Sequence, residues 1–300
     1  MADALREVAP ELAGGAIELR ARRVESDPVW WSSTAVVDGR FVAKFAWSRP
    51  AAARVAREIG VLAALSGPYL PEVVASSLDP VLLVTRRVPG ASLFEVVDSI
   101  DRDQAGAQLA EFLAALHAAP VGGLPEARLG PQHPASTRVL RERLRPWLRD
   151  DQHGTLWSLC EWTDATLSDR RAAVLVHADL HGDNQVWSGD RLRVVVDFET
   201  AGVAEPEYDL RSLPGTGPGV ELLTATVRHY RRLTGQTLSL GRILAWHLRT
   251  TLGDALWQSE AGIPLRANRR PAACLDALLT RFRELDVTPH SGRSTTGSWP

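Results

Sequence analysis

Lysine is almost absent from this 300-residue chain: Lys44 is the only one among 34 lysines and arginines taken together. Cysteine is scarce as well. Cys160 and Cys274 cannot form a disulfide framework, and they fit a reducing compartment. No apolar run approaches the roughly 18 residues that a spanning helix needs, so no membrane partner is expected. Nor is there much net charge, -2 overall, and hence no global positive field to recruit nucleic acid. The opening MADALREVAPELAGG lacks the basic segment and apolar stretch of a secretory leader, and a cytoplasmic location is the expectation. What is present is 45% hydrophobic and 23% charged residues, the balance of a globular protein with a sizeable core. The length suits about two domains. Where arginine is written nearly everywhere, a retained lysine suggests a task for a compact point charge that a planar guanidinium cannot perform. Chance is the competing reading.

The first third of the chain reads as strands with one main helix. A short helix over 4–13 precedes alternation at Ile17–Val24 and Ser33–Val37. Asp38-Gly39 then separates Ser33–Val37 from the strand Arg40–Ala46, a hairpin signal. A helix of about 15 residues follows Ser48-Arg49-Pro50, with Val55, Ile59, Leu62 and Leu65 on one face. Apolar segments at Pro71–Ala75 and Val81–Val88 complete this part. Beyond Pro89-Gly90 helical patterns dominate: Leu93–Ser99, Gln104–Ala118, Thr137–Arg149, His153–Ser168, Gly219–Leu233, Leu240–Glu260 and Pro271–Leu285. A strand-like island interrupts them at Ala173–Trp187 and Leu192–Phe198. Residues 286–300 read as a polar, disordered tail.

The island carries the chemistry. It reads VLVHADLHGDNQVW, a turn at Ser188-Gly189-Asp190, then RLRVVVDFE. Phosphoryl transfer asks a protein for a carboxylate beside the attacking hydroxyl and for oxygen ligands to a metal on the phosphates. In kinases these are the Asp of a His-x-Asp turn, an Asn five residues later, and the Asp of an Asp-Phe-Gly-type turn. Asp179, Asn184 and Asp197 stand in those relations. Such hard oxygen ligands suit Mg²⁺.

On these residues the chain resembles the aminoglycoside phosphotransferase family, small-molecule kinases related to choline kinases. HADLHGDN resembles its catalytic loop, and DFETAGVAEPEYDL its metal turn and the aspartate segment after it. LLVTRRVPGASL resembles its hinge and EFLAALH its first C-lobe helix. The resemblance implies an α+β, protein-kinase-like bilobal fold, with a small N-lobe of antiparallel sheet and one main helix and a larger, mainly helical C-lobe. It divides the chain into a nucleotide-binding lobe, 1–88, and a catalytic and acceptor-binding lobe, 89–285. It implies transfer of the γ-phosphate of ATP or GTP, with Mg²⁺, to a hydroxyl of a small molecule. Lys44 would contact the phosphates and pair with Glu58. Asp179 would be the catalytic base, and Asn184 and Asp197 the metal ligands. Ser32, Ser33 or Thr34 would offer backbone amides to phosphate, and Thr85, Arg86 and Val88 would form the nucleotide-binding hinge. A monomer and a homodimer both fit.

Other residues have plainer readings. His177 is an orienting, packing residue, and three intervening residues deny it and His181 the helical spacing of a zinc pair. Asp209 resembles the aspartate that braces the catalytic loop. Two departures stand out. No glycine occurs from Glu25 to Val37, where a glycine-rich phosphate loop is expected, and the metal turn is Asp-Phe-Glu rather than Asp-Phe-Gly. Two rival functions are a nucleotide-binding pseudokinase and a metallophosphoesterase. The first is suggested by the missing glycines, the second by Asp179-Leu180-His181-Gly182. A pseudokinase would usually lack one of Lys44, Asp179, Asn184 or Asp197, and a two-metal esterase needs further His and Asp ligands.

From Asp179 to Asp209 eight acids face only Arg191 and Arg193. That excess favours a cationic acceptor, an aminoglycoside or another amino-bearing antibiotic being the leading guess. Asp183, Glu199, Trp246 and Trp257 are the acceptor-side candidates, the tryptophans as stacking surfaces or as core.

Overall fold

The computed structural model describes residues 1–19, 31–122, 127, 135–169 and 171–289. In the N-terminal part, strands β1 (Ile17–Leu19), β2 (Ser32–Val37), β3 (Phe41–Ala46), β4 (Val73–Leu78) and β5 (Val81–Arg86) form one antiparallel sheet. Its order is β1-β2-β3-β5-β4. The hairpin expected at Asp38-Gly39 is there, with φ of 51° and 64°, the left-handed pair that a tight two-residue turn requires. The Asp38 carboxylate also accepts the Ala16 amide at 2.8 Å, tying the turn to the start of β1.

Period-2 alternation gives β3 two faces. Phe41 and Ala43 join Val37, Leu82 and Val84 in a small core, which is closed by Leu5 of helix α1 (Ala2–Val8) and by Leu12. The opposite face, with Val42, Lys44 and Ala46, turns to helix α2 (Arg49–Ala64). Pro50 lies in the first turn of that helix, and the Ser48 hydroxyl caps it by accepting the Ala51 amide at 3.1 Å. Val55 and Leu62 are buried as their spacing predicts, with Ile59 packed beside them. Leu65 lies just past the helix end.

After β5 the chain crosses to the helical lobe through 87–90. There β6 (Ala91–Ser92) leads into α3 (Leu93–Val96), capped reciprocally by Ser92 and Glu95. Helices α4 (Arg102–His117), α5 (Thr137–Arg143), α6 (His153–Thr166), α7 (Glu221–Thr234), α8 (Leu240–Glu260) and α9 (Pro271–Glu284) surround one large core. The single helix expected over Thr137–Arg149 stops at Arg143, and a short 3-10 turn with Pro146 follows, because a proline withholds the amide the next turn needs.

The island resolves into β7 (Val174–Val176), β8 (Gln185–Ser188) and β9 (Arg191–Val195), plus β10 (Gly202–Ala204), which pairs antiparallel with β7. β6, β8 and β9 form a third sheet, which joins the crossing segment to the island. Of the expected strand Ile17–Val24, residues from 20 on lie outside the described residues. So do 25–30 of the glycine-free stretch and the tail from 290. Among the described residues, no helix is long and apolar enough to cross a membrane.

Candidate active site

Lys44 projects from β3 into a cage of carboxylates. Its Nζ lies 2.5 Å from Glu58 Oε2, 2.9 Å from Asp197 Oδ1 and 2.9 Å from Glu199 Oε1. Glu58 reaches it from α2, while Asp197 and Glu199 come from the turn after β9. Arg54, one helical turn before Glu58, pairs with the far oxygen of Glu199. Glu58 also accepts the Phe198 amide at 3.2 Å, so one carboxylate ties strand, helix and turn together. Burial works against the Lys44 ammonium, but its three partners outweigh that and hold its pKa well above the usual lysine value. Burial likewise pushes Glu58 up, to about 7, against the pull of Lys44. Asp197 is half-buried, and Lys44 draws it down to about 2 against the cost of its desolvation.

The catalytic-loop candidates sit on the other side of Asp197. Ala178 has φ 66°, a left-handed conformation costly for a residue with a Cβ, and its surroundings enforce it. The buried Asp209 carboxylate accepts the amides of His177 (3.0 Å) and Ala178 (2.8 Å) and also faces His117 Nε2 at 3.2 Å. Arg211 donates to the Ala178 carbonyl at 2.6 Å. Asp209 therefore braces the loop, as its motif implies.

His177 Nδ1 accepts the Asp179 amide at 3.2 Å, which assigns the ring proton to Nε2, 2.9 Å from the Val196 carbonyl. Burial lowers its pKa, so the ring is a neutral spacer between the loop and the turn after β9.

Asp179 is left open, its side chain 39% exposed. Asn184 donates its amide to the Asp179 carbonyl at 2.8 Å and to its carboxylate at 3.3 Å. With the nitrogen so turned, the amide oxygen of Asn184 is the atom available to a cation. The Asn184 carbonyl accepts the Val196 amide at 2.9 Å, which locks it beside Asp197. Asp197 itself is left-handed, φ 72°, at the start of its turn.

Glu58, Asp197 and Glu199 lie close enough together to hold a metal ion, their nearest oxygens within 4.8 Å of one another. Lys44 already fills the space between them, so this trio is the lysine's cage. The hard-oxygen pair that fits a divalent cation is Asn184 with Asp197.

The remaining candidates separate. Thr85 pairs with Val42 in the sheet and shares the Lys44 face. Arg86 turns to the opposite face, clamped by Glu72 at 2.7 and 2.9 Å over the Phe41 ring. Val88 lies half-buried in the crossing segment. Ser32 and Ser33 are within β2, paired with Ala46 and Phe45. The Ser33 hydroxyl is on the face away from Lys44, where it accepts the Trp47 indole N–H at 2.6 Å.

Glu199 is 3% exposed inside the lysine cage, which removes it from the acceptor side where the sequence placed it. Asp183 is exposed beside His181. Trp246 packs edge-on against Tyr208 at 5.0 Å and donates to Glu205. Trp257 stands three turns further along α8, about 16 Å away at 1.5 Å per residue, so the two do not share one small pocket. Cys160 and Cys274 are buried thiols pushed up to about 12 and about 11, which is inert chemistry at neutral pH. Sequence reasoning missed Arg54 and Arg211. Their spacing carried one available signal: Arg54 lies four residues before Glu58 on the same helical face.

Residues 18–240 match the phosphotransferase enzyme family. Among solved structures, the fold is similar to the GDP complex of wild-type aminoglycoside 2'-phosphotransferase-IIIa, at 18% identity and TM-score 0.66. That match covers 92% of this chain and 95% of the other. It is also similar to ADP-bound aminoglycoside phosphotransferase APH(2'')-Ib (17%, TM-score 0.59, 94% and 96% covered). Aminoglycoside phosphotransferase APH(4)-Ia is alike at 16%, TM-score 0.60, with 94% and 97% covered. None of the curated proteins matches. The shared fold is the protein-kinase-like bilobal one, an antiparallel N-lobe on a helical C-lobe.

Proposed function

We propose, given that the chain belongs to the phosphotransferase enzyme family, that it moves the γ-phosphate of ATP or GTP to a hydroxyl of a small molecule. The observation that carries this reading is the continuous linkage from Lys44 through Asp197 and Asn184 to the open carboxylate of Asp179. Phosphoryl transfer is mainly positioning and charge stabilisation, and each of these groups supplies one part of that. Lys44 presents its charge to the phosphates from a fixed point, since Glu58 and Glu199 hold it from behind. Asp179 receives the acceptor hydroxyl, aligns its oxygen and takes its proton. Asn184 keeps that carboxylate in one orientation. Mg²⁺, held by the Asn184 amide oxygen and the Asp197 carboxylate, would supply neutralisation of the phosphate charge when bound.

The same reading assigns 1–88 to the nucleotide and 89–285 to catalysis and the acceptor. Antibiotics with free hydroxyls are the first acceptors to try, aminoglycosides among them, because the similar solved structures are aminoglycoside phosphotransferases. Nucleotide consumption with ATP and with GTP, across a panel of hydroxylated antibiotics, sugars and amino alcohols, is the test. Asp179→Asn is expected to cut turnover by about 10²–10⁴ while nucleotide affinity holds. A variant within a few-fold of wild type would remove Asp179 from this role.

A further inference from the structure

Asp179 is flanked by two carbonyls, and one short segment of the C-lobe holds both. From the 3-10 turns over Pro206–Gly215, the Arg211 guanidinium donates to the Ala178 carbonyl at 2.6 Å and the Ser212 hydroxyl to the Leu180 carbonyl at 2.7 Å. The segment is itself fixed from behind, where His247 of α8 meets the Arg211 carbonyl at 2.7 Å. Arg211 is buried, with its second arm on the Tyr208 carbonyl at 3.1 Å and its guanidinium 4.1 Å from the centre of the Tyr208 ring. A buried guanidinium is costly unless its donors are used and a carboxylate offsets its charge. The carboxylate that faces it is that of Asp179, with Oδ1 at 3.8 Å.

The peptide unit joining Ala178 to Asp179 is gripped at both ends. Arg211 holds its carbonyl, and its N–H donates to His177 Nδ1 at 3.2 Å. That grip has strain to resist, because Ala178 is left-handed at φ 66° and would relax toward the ordinary regions if released. Any turning of this peptide swings the Asp179 side chain with it. Arg211 thus grips the peptide that leads into Asp179 and faces one of its carboxylate oxygens. Asn184 grips the peptide that leads out, at 2.8 Å, and faces the other oxygen at 3.3 Å.

We infer that Arg211 is a positioning residue for the transfer step: through the Ala178 carbonyl and through Oδ1 it sets the aim of Asp179 at the acceptor hydroxyl. This rests on the phosphotransferase reading and adds to it a residue outside both the catalytic loop and the turn after β9. Without the guanidinium, Asp179 keeps its carboxylate but loses its fixed bearing, and a misplacement of about 1 Å costs on the order of a hundredfold in rate. The nucleotide side is spared, because the contacts among Lys44, Glu58 and Asp197 do not pass through Arg211.

The experiment compares the full chain with Arg211→Met, which fills the space without donors, and Arg211→Lys, which keeps the charge and a donor for the Ala178 carbonyl. Steady-state kinetics use ATP, Mg²⁺ and the acceptor that the panel of hydroxylated compounds identifies. Hydrogen–deuterium exchange, read by mass spectrometry without acceptor, follows the amides of 177–181. Arg211→Met is expected to lose kcat on the order of a hundredfold, with the KM for ATP within a few-fold of wild type. The amides of 177–181 should exchange faster in it while those of α2 do not change. Arg211→Lys should recover part of the lost kcat, and it guards against a folding defect in Arg211→Met. The inference is overturned by a kcat of Arg211→Met within a few-fold of wild type, by unchanged exchange over 177–181, by a KM for ATP that rises as far as kcat falls, or by an Arg211→Lys variant no faster than Arg211→Met. A wild-type chain that passes phosphate to no acceptor, with the loop still loosened in Arg211→Met, would instead overturn the phosphotransferase reading and leave Arg211 as the holder of this loop.

Discussion

A lysine pinned by three carboxylates leaves no room for a wider head group. In Lys44→Arg the charge survives, but the planar fork cannot sit 2.5 Å from Glu58 and 2.9 Å from both Asp197 and Glu199. The phosphate-facing charge then moves by about 1 Å, enough to cost on the order of a hundredfold in rate. The expected outcome is that loss in kcat, together with a stability loss of about 1–3 kcal/mol from forcing the wider group into the cage, read from the melting temperature. Wild-type kinetics would return the solitary lysine to chance. Lys44 and Glu58 were legible as residues, because a lone lysine on a strand and a glutamate beside the next helix's apolar stripe are both visible in one dimension. Arg54 and the burial of Glu199 were not, since both depend on how the turn after β9 docks against α2, a contact between segments far apart in sequence.

Among the elements, the crossing between lobes depends on a glycine. A Cβ at Gly90 would lie 2.4 Å from the Trp187 carbonyl oxygen and 2.6 Å from Val186 Cγ1, with backbone on one side and a packed valine on the other. Gly90→Ala is expected to cost about 1–3 kcal/mol in urea unfolding as β6 is pushed off β8.

Helix α8 offers a pH test through His247. Burial lowers its pKa to about 4, although its Nδ1 donates to the Arg211 carbonyl at 2.7 Å. The folded value lies below the ordinary 6.5, so as pH falls through 6.5 the unfolded chain takes the proton first. The stability tied to a neutral His247 is therefore complete above pH 6.5 and drains away toward pH 4, at up to about 1.4 kcal/mol per unit. His247→Asn should flatten the stability curve across that window, and equal slopes in the two proteins would refute the assignment.

Element boundaries followed local signals where those were strong. Asp38-Gly39 marked its hairpin, and Leu240–Glu260 is helical from end to end as its pattern indicates. Pro146 ended a helix that periodicity alone carried through, and β10 escaped notice because three residues paired across the molecule leave no periodic trace.

For the whole molecule, the protein-kinase-like fold was readable because its motifs occur in order along the chain. The acceptor side was not: a count of acids along the sequence does not tell which are neutralised by arginines elsewhere in the fold. Both lobes meet at Lys44 and Asp197, so a nucleotide placed there should stabilise them as one unit. At a concentration about 100 times its Kd the gain is about 2.7 kcal/mol. A single, sharper thermal transition at higher temperature is the expected record, and a rise confined to one of two transitions would contradict it.

Helix α2 is fastened to the turn after β9 by four contacts from three neighbouring residues: the Arg54–Glu199 pair, Arg57 to the Ala201 carbonyl at 3.2 Å, Glu58 to the Phe198 amide, and Glu58 through Lys44 to Asp197. Swinging the helix outward would strip buried charges of their partners in a single movement. Outward rotation of the helix is disfavoured by each of these contacts at once.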